Sequence, residues 1–177
     1  SGSVAWSFFS SSFQEISNTF MSNASLFGKV YFPRIVMPIS VCITSLFQFF
    51  VQFLIFLFFL IYFVFIGFEV KININLIFLP FIILQISAIA IGVGLIISSI
   101  TARYRDLSIA LPFLTQIWMF ITPIVYPLNQ VPEKFQFLIK LNPMTMPIEN
   151  FKNIFFYYEK ISFLDNILSI FITIFIL

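Results

Sequence analysis

The chain is 177 residues long, 60% of them apolar and only 9% charged, with a net charge of +2. A soluble domain carries about a quarter charged residues, so these composition figures exclude a chain solvated by water alone and point to lipid as much of its solvent. The small net charge gives no reason to expect nucleic acid as a partner. Histidine is absent, which removes the commonest general base and metal ligand, and no metal site is expected. The single cysteine, Cys42, excludes an internal disulfide framework.

Inside hydrocarbon every backbone polar group must be satisfied within the chain, so the long apolar runs are read as helices. Five runs follow in order. The first, about Ser3 to Met21, is two-faced: Trp6, Phe9, Phe13, Ile16 and Phe20 recur on one side, and Ser3, Ser7, Ser10, Gln14 and Asn18 on the other. Glu15 lies close to that polar face. The second run, Val36 to Ile66, has no charge and as a helix would be roughly 46 Å long, against ~30 Å of hydrocarbon. It is expected to tilt or bend, with Pro38 as the bend, and Ser40, Thr44, Gln48 and Gln52 form one polar stripe along it. The third, Leu76 to Ile100, holds two small-xxx-small pairs, Ala88 with Gly92 and Ala90 with Gly94, that let a second helix approach closely. The fourth spans about Leu107 to Tyr126, interrupted by Pro112 and Pro123, and the fifth begins near Ile161 and continues to Leu177. Because the chain opens at Ser1-Gly2-Ser3 and stops within an apolar run, both ends are expected to continue in a longer protein.

The connections alternate sides. Residues 23–34 and 101–106 fall on one side with four Lys and Arg, and residues 67–75 and 127–160 on the other with five. That count does not settle orientation; the three arginines, all on the first side, place it in the cytoplasm. The segment from Pro127 to Lys160 is divided by prolines, with Pro132 and Pro147 each suited to open a short helix. In the second piece Ile148, Phe151, Phe155 and Tyr158 share a face, with Glu149, Asn150, Lys152 and Asn153 elsewhere. Such a helix lies in the membrane interface or re-enters between spans.

Four short motifs occur in order: Lys29-Val30-Tyr31-Phe32-Pro33-Arg34; Tyr104-Arg105-Asp106 following Arg103; Thr122-Pro123-Ile124-Val125-Tyr126-Pro127; and Asn142-Pro143-Met144, preceded by Val131-Pro132. Together they resemble the permease subunit of the polysaccharide, O-antigen and teichoic-acid export branch of ABC transporters, the type-2 permease family. Thr122 stands where serine is usual, and the family's amino-terminal amphipathic helix and first span have no counterpart here.

The resemblance implies an all-α integral membrane fold, a single permease domain over 1–177 with five spans of an expected six. It implies a homodimer in the cytoplasmic membrane of a bacterium, moving a lipid-linked polysaccharide. ATP and Mg would be bound by a separate ABC ATPase, and the chain itself, which has no Walker loop, would be no enzyme and bind no cofactor. Lys29, Tyr31, Phe32, Pro33, Arg34, Arg103, Tyr104, Arg105 and Asp106 would pass the ATPase's motion into the bundle, although the same cations equally suit lipid headgroups. Pro123, Tyr126, Pro127, Pro132, Asn142 and Pro143 would shape an outer gate, against the plainer reading of an ordinary outer loop. Trp6, Phe9 and Glu15 are candidates for the translocation path, with packing as the simpler role for the aromatics. A permease of this fold moving a drug or small lipid is the nearest alternative. An embedded transferase would want clustered acids, and an ion-coupled carrier would want paired charges deep in the spans.

Overall fold

A serine-rich helix survives in an apolar setting only if its hydroxyls find acceptors, and the chain supplies these from its own turns. In the computed structural model, which describes residues 1–22, 36–66, 74–126, 130–156 and 163–177, helix α1 (Gly2–Ser22) carries such bonds at several positions, though the buried Ser12 and Ser17 hydroxyls have no partner among the described residues. Ser11 Oγ donates to the Ser7 carbonyl at 2.9 Å, Thr19 Oγ1 to the Glu15 carbonyl at 2.9 Å, and Asn18 Nδ2 to the Gln14 carbonyl at 3.0 Å. The apolar side of α1 is buried as its spacing predicts: Trp6, Phe9, Phe13 and Ile16 all lie in the core.

The remaining elements are α2 (Val36–Phe65), a 3-10 turn (Ile74–Phe78), α3 (Leu79–Arg103), α4 (Leu107–Ile121), α5 (Glu133–Leu141), α6 (Thr145–Phe155) and α7 (Phe163–Ile176). No strand occurs among the described residues. Val36–Phe65 and Leu76–Arg103 are each long and apolar enough to cross a membrane, and α4 and α7 are shorter apolar helices. Pro38 falls in the first turn of the described α2, and the helix runs on past it. The far half of α2 is apolar on all sides and mostly exposed, Phe58 and Phe65 among its residues, as a lipid-facing surface would be.

Helices α1 and α3 form the centre and run parallel. Their spacing is set by Gly94, where a Cβ would lie 2.7 Å from Ile16 Cγ2 and 2.9 Å from Ile16 Cβ. Two polar contacts lock the same seam: Thr101 Oγ1 donates to the Ser17 carbonyl at 2.6 Å, and the Phe20 N–H donates to Ser98 Oγ at 3.4 Å. Gly92, one turn-half away, meets Ile176 of α7 instead, at 2.8 Å from its Cγ2. The two small pairs of α3 therefore seat two different helices. Gln85 adds to the α7 seam by donating to Ser169 Oγ at 3.0 Å.

Several expected boundaries shift, and α3 runs on to Arg103, three residues past Ile100. The fourth helix ends at Ile121, five residues before Tyr126, because Pro123 brings no N–H and its ring forces the preceding residue out of the helical region. Thr122 is accordingly extended, with φ −90° and ψ 135°. Pro112, by contrast, sits inside α4 without ending it. Pro147 is the third residue of α6 rather than its first, still within the first turn where a missing N–H breaks no helical bond.

Helix α6 is packed inside the bundle rather than laid on its surface. Every residue from Thr145 to Phe155 is buried except Asn150, which is half-buried. A run of rings fixes it against α2, with Phe53 6.2 Å from Phe151 and Phe56 5.1 Å edge-on from Phe155.

Candidate functional sites at the two ends of the bundle

Trp6 near the start of α1 packs on Trp118 near the end of α4, so these two run antiparallel, and the Thr101 to Ser17 bond brings the ends of α3 and α1 together. The ends of α1 and α3 and the start of α4 thus lie at one end of the bundle. At that end the α3–α4 connection is a tight turn. The Leu107 N–H donates to the Tyr104 carbonyl at 3.1 Å, and Ser108 Oγ to the Arg105 carbonyl at 2.7 Å. Arg103, Tyr104, Arg105 and Asp106 are all exposed, and Arg103 lies 5.7 Å over the Tyr104 ring. None of these three charged groups joins an ion pair among the described residues. They form a stiff, charged cap with its donors outward, tied through Thr101 to the end of α1. Lys29, Tyr31, Phe32, Pro33 and Arg34, the first loop of the expected coupling pair, lie outside the described residues.

At the opposite end two of the motifs prove to be one structure. Asn142 receives the Trp118 indole N–H at 3.0 Å and the Met144 backbone N–H at 3.2 Å on its Oδ1, and its Nδ2 donates to Thr122 Oγ1 at 2.9 Å. The Thr122 hydroxyl in turn donates to the Trp118 carbonyl at 2.9 Å. A hydroxyl at 122 thus both gives and takes one bond, which serine and threonine can each do and valine cannot. Tyr126 folds back, its hydroxyl donating to the Phe120 carbonyl at 3.2 Å, and burial pushes its phenol above the ordinary value. Pro123 is buried beneath this turn, Pro143 is half-buried, and Pro132 stands exposed just before α5. Pro127 lies outside the described residues.

Sequence reasoning passed over two charged residues here. Lys152 and Glu149 are 7% exposed each and form an ion pair at 2.9 Å on α6. The signal was available: a lysine and an acid three apart are the charged residues of a short helix with an apolar face of Ile148, Phe151 and Phe155, and such groups are rarely buried unpaired. A second pair, Lys140 with Asp165 at 2.7 Å, joins α5 to the start of α7, and Asn150 Nδ2 donates to Asn166 Oδ1 at 2.7 Å beside it.

The three candidates for a path separate. Trp6 and Phe9 pack inside this chain against Trp118, at 6.3 and 5.0 Å between ring centres. Glu15 is exposed and lines a groove of about 430 Å³ with Gln14, Asn18, Thr19, Ser22 and Val41 of α2. Asn18 Oδ1 is buried there without a hydrogen-bond partner among the described residues. Val41 shares a helical face with Thr44, Gln48 and Gln52, all three exposed and polar. One polar strip, Ser3, Ser7, Ser10, Gln14 and Asn18 on α1 with Thr44, Gln48 and Gln52 on α2, therefore flanks this groove, in contrast to the exposed Phe, Ile and Leu of the far half of α2.

Apolar helices of membrane-crossing length, packed through small residues, define an integral membrane protein. The chain belongs to the ABC-2 type transporter family, whose model matches residues 2–156. It is 27% and 28% identical over 168 residues to two proteins of Klebsiella pneumoniae named O-antigen export system permease protein RfbA, covering 92% of this chain and 63% of each relative. A protein of the same name from Myxococcus xanthus is 26% identical over 157 residues, 88% of this chain and 58% of the relative. The chain thus spans about three fifths of the length of these curated relatives.

Proposed function

We propose that this chain is the membrane-spanning permease subunit of an ATP-driven exporter that passes a lipid-linked polysaccharide across the bacterial cytoplasmic membrane. Family membership and relatives named for O-antigen export support the cargo class. The observation that carries the reading is the polar strip along α1 and α2. Exposed Gln and Ser at membrane depth are costly against lipid, so that face meets water, a second copy of the permease, or a hydroxyl-rich cargo. Asn18 Oδ1, which has no partner among the described residues, is an acceptor suited to a sugar hydroxyl.

In this reading a separate ABC ATPase binds ATP and Mg and presses on the cap formed by Arg103, Tyr104, Arg105 and Asp106, with Lys29 to Arg34 as the adjoining contact. Two copies of the permease enclose the path. This chain performs no chemistry itself. The test is co-purification of the full-length permease with its ATPase in nanodiscs, comparing ATP turnover of wild type with R103A/R105A. Assembly with turnover lost at least about tenfold in the variant, as when two charge-assisted contacts are removed, is the expected result. Failure of the wild type to bind any ATPase sinks the reading.

The strip makes a separate prediction. A cysteine at Gln48 is expected to react with a membrane-impermeant charged thiol reagent in intact membranes, whereas one at Phe58, 69% exposed on the lipid side of α2, stays unreactive. Equal protection at both positions removes the wet face.

A further inference from the structure

An ammonium taken out of water needs all three of its protons engaged, because a lost bond inside a dry site is not replaced. Lys152 meets that demand in an unusual way. Its Nζ donates to Glu149 Oε1 at 2.9 Å on its own helix, and to two backbone carbonyls of the outer turn, Pro123 at 2.9 Å and Tyr126 at 3.3 Å. Both carbonyls lie just past the end of α4, where Pro123 has ended the helix and the helical ladder no longer reaches them. A cation there also meets the negative end of the α4 dipole. Two of the three acceptors therefore belong to one segment and the lysine to another.

The two segments are not held alike. Helix α6 is fixed on its other sides, by Asn150 to Asn166 of α7 and by the ring contacts of Phe151 and Phe155 with α2. The turn at residues 122–126 is bound through Asn142 at its start, while Val125 near its far end is 86% exposed. Ile124 is buried against Gly2 of α1; apart from that packing and the Tyr126 hydroxyl folding back on α4, the described polar ties across its far end are those to Lys152.

We propose that Lys152 is a positioning residue that latches the outer turn against α6, and that the turn lifts only when water reaches the ammonium and replaces the two carbonyls. Dry and bonded, the turn is shut; wet and released, it is open, with Glu149 keeping the charge compensated in both states. This rests on the export reading only for what would pass the opened turn, and the closure itself is a property of this chain alone.

The test places pyrene labels at Val125→Cys and Phe156→Cys, which line one cleft together with Lys152, in a full-length permease carrying Cys42→Ala. Excimer emission reports the shut turn. Lys152→Met is expected to raise the open-to-shut ratio at least about tenfold, the change that about 1.4 kcal/mol makes. A second measurement needs no variant at the latch: amine modification of wild-type Lys152, with exposed Lys134 as internal reference. Lys152 reacts far more slowly than Lys134 at rest and gains on it during ATP turnover. An unchanged excimer ratio in a monodisperse Lys152→Met protein overturns the latch, as does a Lys152 equally protected at rest and in turnover. Absence of ATPase binding would count against the export reading and leave the excimer comparison, made on the permease alone, intact.

Discussion

Gly94→Leu will lower the unfolding temperature of the detergent-solubilised protein by roughly 3 to 10 °C, from an overpacking cost of about 1–3 kcal/mol spread over a chain of this size. The obstacle is not the flexible end of a neighbour. A Cβ at 94 would come within 2.9 Å of Ile16 Cβ, an atom fixed by the α1 backbone, so α1 and α3 must separate to admit even alanine. Separation stretches the Thr101 to Ser17 bond, now 2.6 Å, and opens the core seam around Ile86, Ala90 and Phe13. Gly94→Ala is expected to show part of the loss. Ile96→Leu, two residues on and 53% exposed, is the control and stays within about 0.5 kcal/mol of wild type. A thermal unfolding scan of the three variants decides it, and a Gly94→Leu protein as stable as wild type would mean the helices do not meet at this distance.

Asn142→Ala is the second large effect. It strands the Trp118 indole N–H, the Met144 N–H and one side of the Thr122 hydroxyl together, for a cost of about 2–4 kcal/mol given ~1 kcal/mol per net bond and more for a donor left dry. The outer turn and the α5–α6 connection lose their common tie, so export is expected to fall with stability. Asn142→Asp keeps the acceptor for Trp118 and Met144 and should retain more of both. The readout is tryptophan emission, with Trp6 and Trp118 as the two reporters, beside surface display of the cargo in cells. If Asn142→Ala shifts neither emission nor display, the two motifs do not work as a unit.

The elements that lie along a single helix were legible from spacing. The two faces of α1, the apolar far half of α2 and the small pairs of α3 follow from periods of three and four, because a helix presents its own residues in a fixed order. Even there the sequence left Gly92 and Gly94 undistinguished, and only packing shows that one seats α7 and the other α1. The candidate site was legible as a set of turn-forming motifs but not as an arrangement. Nothing in spacing says that Asn142 reaches back twenty positions to Thr122, or that Lys152 turns inward to the end of α4. An amphipathic short helix looks the same whether its aromatic side meets lipid or other rings, and α6 is buried because Phe53 and Phe56 of α2 were there to meet it. Burial of Trp6 and Phe9 has the same origin, since Trp118 completes their cluster from a distant part of the chain.

The seam between α1 and α3 also sets an order of assembly. The contacts that hold α1 join residues 78 and 84 positions apart, Phe20 with Ser98 and Ser17 with Thr101. Until α3 has been synthesised, α1 can bury Phe8 against Phe49 of α2, but its serine-rich side and the seam at Phe13, Ile16 and Ser17 lack the α3 contacts that close them. Such a helix partitions poorly into lipid by itself, whereas α2, apolar and uncharged, enters readily. Stable docking of α1 is therefore expected to wait on the synthesis of α3, whichever order the helices enter the bilayer.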